Sequence, residues 1–150
     1  MLRKSLMAAT CMLTFAASAV TSQAGEFGSA DEAKAMLGKA VTAVKADKAK
    51  ALAAFIAGTD GFKDRDLYPF CANVSDGIFT AHPKLVGKSL KELKDKEGKA
   101  LGETMLSSAK EGEVSEVDYK WPRPGSDAPV QKVSFVTRIG DQVCAVGYYK

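Results

Sequence analysis

The sequence has few of the residues on which most catalytic and metal sites depend. Its 150 residues include one histidine, three cysteines and one tryptophan. It contains no GxSxG nucleophile motif, no Walker motif and no second histidine at a metal-ligand spacing. CxxC and CxxCH are also missing, which argues against thioredoxin-like redox chemistry, cysteine-based zinc sites and covalent haem. We therefore predict a protein that is not an enzyme and that carries no cofactor and no metal.

A strong net charge is also missing once the N-terminal segment is set apart. The full chain has a formal net charge of +3, and its first 24 residues contain two basic and no acidic residues. Without that segment the net charge is +1. Such a small charge gives no electrostatic basis for binding nucleic acid or an anionic membrane surface. We expect no nucleic-acid partner.

The one long apolar run lies at the N-terminus. Two basic residues precede an uncharged stretch from Leu6 to Val20, and the small residues Ser22 and Ala24 follow at a cleavage-site spacing. The run is shorter than the roughly 20 residues that a spanning helix needs. An uncleaved membrane anchor is the alternative. We predict a signal peptide over residues 1–24 and one exported domain over 25–150, periplasmic or secreted after cleavage near Ala24.

The predicted cleavage site also divides the three cysteines. Cys11 lies in the predicted signal peptide, whereas Cys71 and Cys144 belong to the exported domain. An even pair in an oxidising compartment predicts one disulfide, which would contribute on the order of 2–4 kcal/mol. Two buried free thiols are the alternative.

The exported part divides into a helical front, residues 25–60, and a strand-rich back, residues 66–150. Ser29 and Glu32 have the spacing of a capping box, and apolar residues then repeat at helical spacing. Asp47 is predicted to cap a second helix.

The back of the chain predicts five short strands joined mostly by hairpins. Pro69 is expected at the start of the first strand, because proline cannot donate to a ladder. A helix is predicted from Ala100 to Lys110, before the last three strands. This order predicts an α+β fold, with an antiparallel sheet and helices on one of its faces.

Four tracts between Asp66 and Lys150 support a family resemblance. They are DLYPF, SDGIFTAHPKLVGKSLKELKDKEGKAL, VDYKWPRP and KVSFVTRIGDQVCAVGYYK. In this order they resemble a single Cache domain, an extracytoplasmic relative of the PAS fold, and the preceding helices resemble the family's N-terminal helical region. The resemblance implies long N-terminal helices packed on a five-stranded antiparallel PAS-like sheet. Pro69 and Cys71 depart from the family's more regular β-branched first strand.

The resemblance also bears on the cysteines. In this family the first and last strands lie side by side at the centre of the sheet. Cys71 and Cys144 would then lie on neighbouring strands, where opposite side chains are about 5 Å apart. A disulfide becomes geometrically feasible, and the strand register decides it.

The resemblance further implies a small-ligand pocket against the sheet. The candidate ligand-binding residues are His82, Tyr119, Trp121, Arg123, Lys132, Ser134 and Tyr148. Lys132 would supply the charge for a small organic anion such as a short carboxylate, and burial would strengthen that interaction. Tyr119 and Trp121 share one strand face, as do Lys132 and Ser134. A solvated lysine on the sheet surface is the alternative.

Two functions stay open at this point. One is a sensory module that binds a small metabolite and acts through a membrane sensor or another periplasmic protein. Related sensors carry domains of this kind between transmembrane helices, whereas here we expect a stand-alone exported protein, with a homodimer left open. The other is a structural or interaction protein with a degenerate pocket. Lys132 inside an aromatic cavity favours the first, and Lys132 in solvent favours the second.

Overall fold

The computed structural model describes residues 25–150, so the predicted signal peptide and Cys11 lie outside the described residues. In chain order the elements are α1 Ala30–Ala46, α2 Lys48–Ala57, β1 Pro69–Asn73, β2 Phe79–Ala81, α3 Leu101–Ser108, β3 Ser115–Pro122, β4 Pro129–Ile139 and β5 Gln142–Tyr149. None of the helices in this range is long and apolar enough to cross a membrane.

Both N-terminal helices begin at the predicted caps. The Glu32 N–H donates to the Ser29 hydroxyl over 3.3 Å, and the Ser29 N–H donates to the Glu32 carboxylate over 2.8 Å. This reciprocal pair confirms the capping box of α1. Asp47 accepts from the Lys50 N–H at the start of α2, and Gly58 ends that helix in the left-handed conformation.

The five strands form one sheet in the order β2-β1-β5-β4-β3, and all neighbours are antiparallel. β5, the last strand of the chain, therefore lies at the centre, between β1 and β4. β1 starts at Pro69, as predicted. The predicted α+β class with a five-stranded antiparallel sheet is confirmed.

One face of the sheet, which we call the helix face, packs against α1 and α2. Its buried side chains include Phe135, Ile139 and Val146. Cys71 of β1 lies directly opposite Cys144 of β5, and the two form a disulfide with their Cα atoms 4.1 Å apart. The disulfide and the central pairing of the first and last strands are both confirmed.

The other face, which we call the site face, lies under α3 and a segment without helix or strand, residues 83–99, which we call the cover segment. The cover segment begins at the β2 edge, where the Phe79 N–H donates to the Lys88 carbonyl over 2.9 Å. It reaches the β3 edge, where the Lys96 N–H donates to the Lys120 carbonyl over 3.2 Å. It thus crosses the sheet from one edge strand to the other.

Asp95 fastens the cover segment to β3. Its carboxylate accepts from the backbone N–H groups of Glu97 and Lys99, both over 2.9 Å, and of Lys120 over 3.2 Å. Burial acts to raise the pKa of Asp95, but these hydrogen bonds outweigh it and hold the pKa below its usual range. The ionised carboxylate therefore satisfies three N–H groups where the chain turns.

The position of α3 corrects one expectation. The helices were predicted on a single face, but Leu101 and Met105 of α3 pack with Phe70 and Val117 on the site face. α3 approaches the cover segment closely at Gly102, where any Cβ would overlap the carbonyl of Leu90. The sheet is therefore covered on both faces, which accounts for its strongly buried central strands.

Candidate ligand-binding site

Lys132 lies on the site face, towards the end of the sheet where β5 finishes. It belongs to β4 and pairs with Tyr119 of β3 and Tyr149 of β5. The residue is 1% exposed. Its Nζ lies 4.9 Å from the ring centroid of Tyr68 and 4.7 Å from that of Tyr149. Within residues 25–150 no carboxylate lies at ion-pair distance from this Nζ, so aromatic rings stand where a counter-ion would normally be.

A glycine on the neighbouring strand makes room for this lysine. A Cβ at Gly147 would lie 2.5 Å from the Cε of Lys132 and 2.6 Å from the hydroxyl of Ser134. The Ser134 hydroxyl in turn hydrogen-bonds the Tyr119 hydroxyl over 2.8 Å. The missing side chain of Gly147 therefore sets the paths of both Lys132 and Ser134 across the sheet.

A small cavity surrounds this cluster, and its volume is about 20 Å³. Its walls are mainly aromatic and aliphatic: Tyr68, Phe70, Phe79, His82, Leu85, Leu93, Leu101, Met105, Tyr119, Trp121 and Lys132. A cavity of this size holds about one water molecule. An organic ligand can enter only if the walls move apart.

His82 contributes a neutral imidazole to the wall. Its Nδ1 accepts from the Lys84 N–H over 3.0 Å, so the proton of the neutral ring lies on Nε2. Burial, and then the charges of Lys132 and Lys84, lower the pKa of His82 to about 4. At neutral pH the ring therefore adds no charge and keeps one free donor.

The other titratable groups of the cavity also respond to burial. Burial lowers the pKa of Lys132 to about 8; the Asp66 carboxylate opposes this shift and Arg123 adds to it. Lys132 is still mainly cationic at neutral pH. Burial, together with Asp66, raises the pKa of Tyr68 to about 12, and burial holds the pKa of Tyr119 well above its usual range. Both tyrosines keep their hydroxyl protons.

Arg123 lies beside the cavity without lining it. Its Nη1 is 3.1 Å from a carboxylate oxygen of Asp66, whose other oxygen accepts from the Gly28 N–H over 2.7 Å. The guanidinium also stacks 3.8 Å from the ring centroid of Phe27 and 4.5 Å from that of Tyr149. Arg123 was expected to donate two parallel hydrogen bonds to the ligand, but its guanidinium is already paired with Asp66.

The expected position of Tyr148 is corrected. Its ring stacks on Phe135, with the centroids 5.7 Å apart, on the helix face of the sheet. Because neighbouring residues of a strand point to opposite faces, Tyr149 takes the place on the site face that Tyr148 was expected to occupy.

Only some of the seven predicted ligand-binding residues line the cavity. Four of them line the cavity: His82, Tyr119, Trp121 and Lys132. Ser134 supports Tyr119 from the same face. The sequence reasoning missed Tyr68, Tyr149 and Gly147; of these, only Gly147 carried a usable signal, because glycine inside a strand indicates a close approach.

The part of the chain from residue 25 onward contains no cluster of the usual metal-ligating side chains. No group of three or more His, Cys, Asp or Glu side chains there converges on one point. The chemistry that the cavity offers is one ammonium, several neutral donors and apolar walls. This combination suits a small anion with an apolar body.

Comparison with known proteins agrees with this picture. A family model described as the Cache domain matches residues 30–148. The methyl-accepting chemotaxis protein McpP of Pseudomonas putida is 36% identical over 56 residues, which is 37% of this chain and 10% of that protein. The chain therefore matches about a tenth of that relative's length.

Solved structures share most of this fold. A methyl-accepting chemotaxis protein of Vibrio parahaemolyticus superposes with a TM-score of 0.64 at 28% identity, covering 79% of this chain and 86% of that one. The periplasmic sensor domain of a chemotaxis protein gives 0.57 at 26%, covering 79% and 88%. A Cache chemosensory domain described for carboxylic acid recognition gives 0.56 at 22%, covering 77% and 84%, which is a likeness of fold alone. With the family model spanning nearly every residue that the structure describes, the chain belongs to the Cache domain family.

Proposed function

We propose that this domain is a sensory module that binds a small organic anion, such as a short carboxylate, in the cavity around Lys132. Cache domains are extracytoplasmic sensor domains, and the relatives above are chemotaxis proteins. We further propose that residues 1–24 direct export and are removed near Ala24. The mature domain then acts through a partner, either a membrane sensor or another periplasmic protein.

The observation that carries this proposal is the buried ammonium of Lys132. A lysine that is 1% exposed loses its hydration, and its pKa falls to about 8 for that reason. An incoming carboxylate supplies the missing counter-charge and a charge-assisted hydrogen bond in a medium that screens poorly. The carboxylate assignment rests on this residue, since the carboxylate-recognising neighbour shares only the fold.

The other residues that line the cavity would orient the bound anion and limit its size. The Nε2–H of His82 and the indole N–H of Trp121 are donors for the second carboxylate oxygen. Phe70 and Met105 are apolar surfaces for a short tail. These groups favour an anion with one small apolar end.

Binding has to change the shape of the site. The cavity of about 20 Å³ is smaller than any carboxylate that fits this description. Four wall residues are only half-buried and are the ones expected to give way: Tyr68, Leu85, Leu93 and Trp121. Their displacement, with that of the cover segment that carries Leu85, is the change that a partner would detect.

The interaction-protein alternative predicted Lys132 in solvent, whereas the structure buries it among aromatic rings. This burial is the reason to prefer the binding module.

A thermal-shift titration of the exported protein tests the proposal. Acetate and propionate should raise the Tm by several degrees at about 100 times their Kd, because such binding adds about 2.7 kcal/mol to the stability. Acetamide and propionamide, which have the same shape without the charge, should give no shift. The Lys132→Gln variant should lose the carboxylate response, and Lys120→Gln on the neighbouring strand should keep it. Equal shifts for acids and amides, or an unchanged response in Lys132→Gln, would rule the proposal out.

A further inference from the structure

A second and much larger compartment adjoins the cavity. This outer groove has a volume of about 510 Å³, against about 20 Å³ for the cavity. It lies between the end of α2, the first residues of the cover segment, and the loop that follows Trp121. Its volume falls in the range of pockets that bind small molecules.

The groove and the cavity share part of their walls. Tyr68, His82, Leu85 and Trp121 line both. These four side chains therefore form part of the boundary between the two compartments.

Apolar side chains supply much of the groove surface. Phe55 and Phe62 pack edge to face with their ring centroids 4.5 Å apart, and both line the groove. Ile56 beside them is 45% exposed, which is high for a large hydrophobic residue. On the opposite side of the groove, Pro122 at the end of β3 and Pro124 in the loop after it restrict the backbone. This surface fits an extended or ring-shaped apolar body.

The groove also carries an excess of positive charge. Its charged lining residues are Lys63, Arg65, Lys84, Arg123 and Asp127. Asp64 and Asp66 already pair with the two arginines. Among the described residues, Lys63 and Lys84 have no ion-pair partner, and both are exposed. Two unpaired ammonium groups against one carboxylate favour a singly charged anion.

We propose that the outer groove is a second ligand site, which takes an amphipathic organic anion such as a medium-chain or aromatic carboxylate. The apolar body lies against Phe62 and Ile56, and the carboxylate meets Lys63 and Lys84. The site does not depend on the function proposed for the inner cavity, because Lys132 does not line it. The shared walls couple the two compartments, so that occupancy of the groove alters the affinity of the cavity.

The fluorescence of Trp121 gives a direct test, because it is the one tryptophan of the chain and lines both compartments. Octanoate is the probe and 1-octanol is its uncharged control. We expect a saturable change with octanoate and at least tenfold weaker binding in the Lys63→Gln/Lys84→Gln variant. The Lys91→Gln variant, which removes an exposed lysine outside the groove, should bind as the wild type does. Absence of a saturable signal, or equal affinity for octanol, overturns the proposal.

One further pair of titrations separates this proposal from the function of the cavity. In Lys132→Gln, octanoate binding should persist while acetate binding is lost. If octanoate binding is lost in Lys132→Gln and unchanged in Lys63→Gln/Lys84→Gln, octanoate occupies the inner cavity and the groove proposal is wrong, although the proposed function stands. If acetate fails to bind and octanoate still responds to the groove variant, the proposed function is wrong and the groove proposal stands.

Discussion

The two faces of the sheet are both buried, but they are built differently. The helix face packs aliphatic and aromatic side chains against α1 and α2 and contains the disulfide. The site face buries three side chains that carry polar groups, Lys132, Ser134 and Tyr119. Burial of polar groups costs free energy unless partners satisfy them. The comparison indicates that one face stabilises the domain and that the other gives up stability, as the proposed ligand site would require.

The coverings of the two faces differ as well. α1 and α2 satisfy their own backbone hydrogen bonds and present continuous apolar surfaces. The cover segment has neither helix nor strand, and isolated hydrogen bonds at Lys88, Leu90, Leu93 and Asp95 hold it to its neighbours. Segments with few regular hydrogen bonds open at lower free energy than packed helices. The site face is therefore the one expected to open for a ligand.

Removal of the disulfide should have the largest effect, because it should lower the stability of the domain without changing ligand affinity. The Cys71→Ala/Cys144→Ala variant is expected to lose about 2–4 kcal/mol of unfolding free energy, because its unfolded chain is less constrained. Acetate affinity should stay within about twofold of the wild type, since both cysteines face the helices. Urea denaturation and the thermal-shift titration measure the two quantities. A large loss of affinity in a variant that is still folded would contradict the separation.

Replacement of Lys132 should change stability in the opposite direction. The folded-state pKa of about 8 lies below the ordinary value of 10.5, so the unfolded chain binds this proton more tightly. The group therefore lowers stability below pH 8, and the loss is relieved as the pH rises from about 8 to 10.5. Lys132→Met should gain up to about 3 kcal/mol at pH 7 while it loses carboxylate binding.

Urea denaturation at pH 7 and at pH 10 checks this sign. The advantage of Lys132→Met over the wild type should shrink at the higher pH. A variant that is less stable than the wild type at pH 7 would show that Lys132 contributes to the fold.

Gly147→Ala sharpens the comparison within the site face. The added methyl group would press on Lys132 and Ser134, and we expect a loss of about 1–3 kcal/mol of stability from overpacking, with acetate binding at least tenfold weaker. Gly38→Ala on α1 is the matched control, because nothing lies within 4 Å of its added Cβ. That control should gain up to about 1 kcal/mol through helix propensity and bind normally. Normal acetate binding by a folded Gly147→Ala variant would show that Gly147 does not shape the binding site.

The sequence alone predicted the framework well, because local chemistry determines it. Ser29 with Glu32 and Asp47 cap helices through their own neighbours, and Pro69 starts a strand because it lacks an N–H group. The disulfide between Cys71 and Cys144 was predicted from the even number of cysteines in the exported part, and the family resemblance added that their strands are neighbours; a separation of 73 residues carries no local signal.

The site was predicted less completely, because its contacts are made across strands and loops. Alternation along β5 fixes that Tyr148 and Tyr149 point to opposite faces, but both faces are buried, so the pattern does not tell which tyrosine meets the ligand site. Tyr68 precedes β1 and reaches Lys132 only in the folded sheet. The pairing of Arg123 with Asp66, 57 residues away, likewise depends on tertiary structure.

The disulfide also makes the chain partly circular. It closes a ring that contains the cover segment, α3, β3 and β4, and so encloses His82, Trp121 and Lys132. The turn between Pro124 and Pro129, the longest run of exposed residues in this ring, is open to proteolytic attack. A single cut there leaves two pieces that stay covalently joined. A domain nicked there therefore stays one molecule, with His82, Trp121 and Lys132 still covalently linked, until a reductant reaches the buried bond.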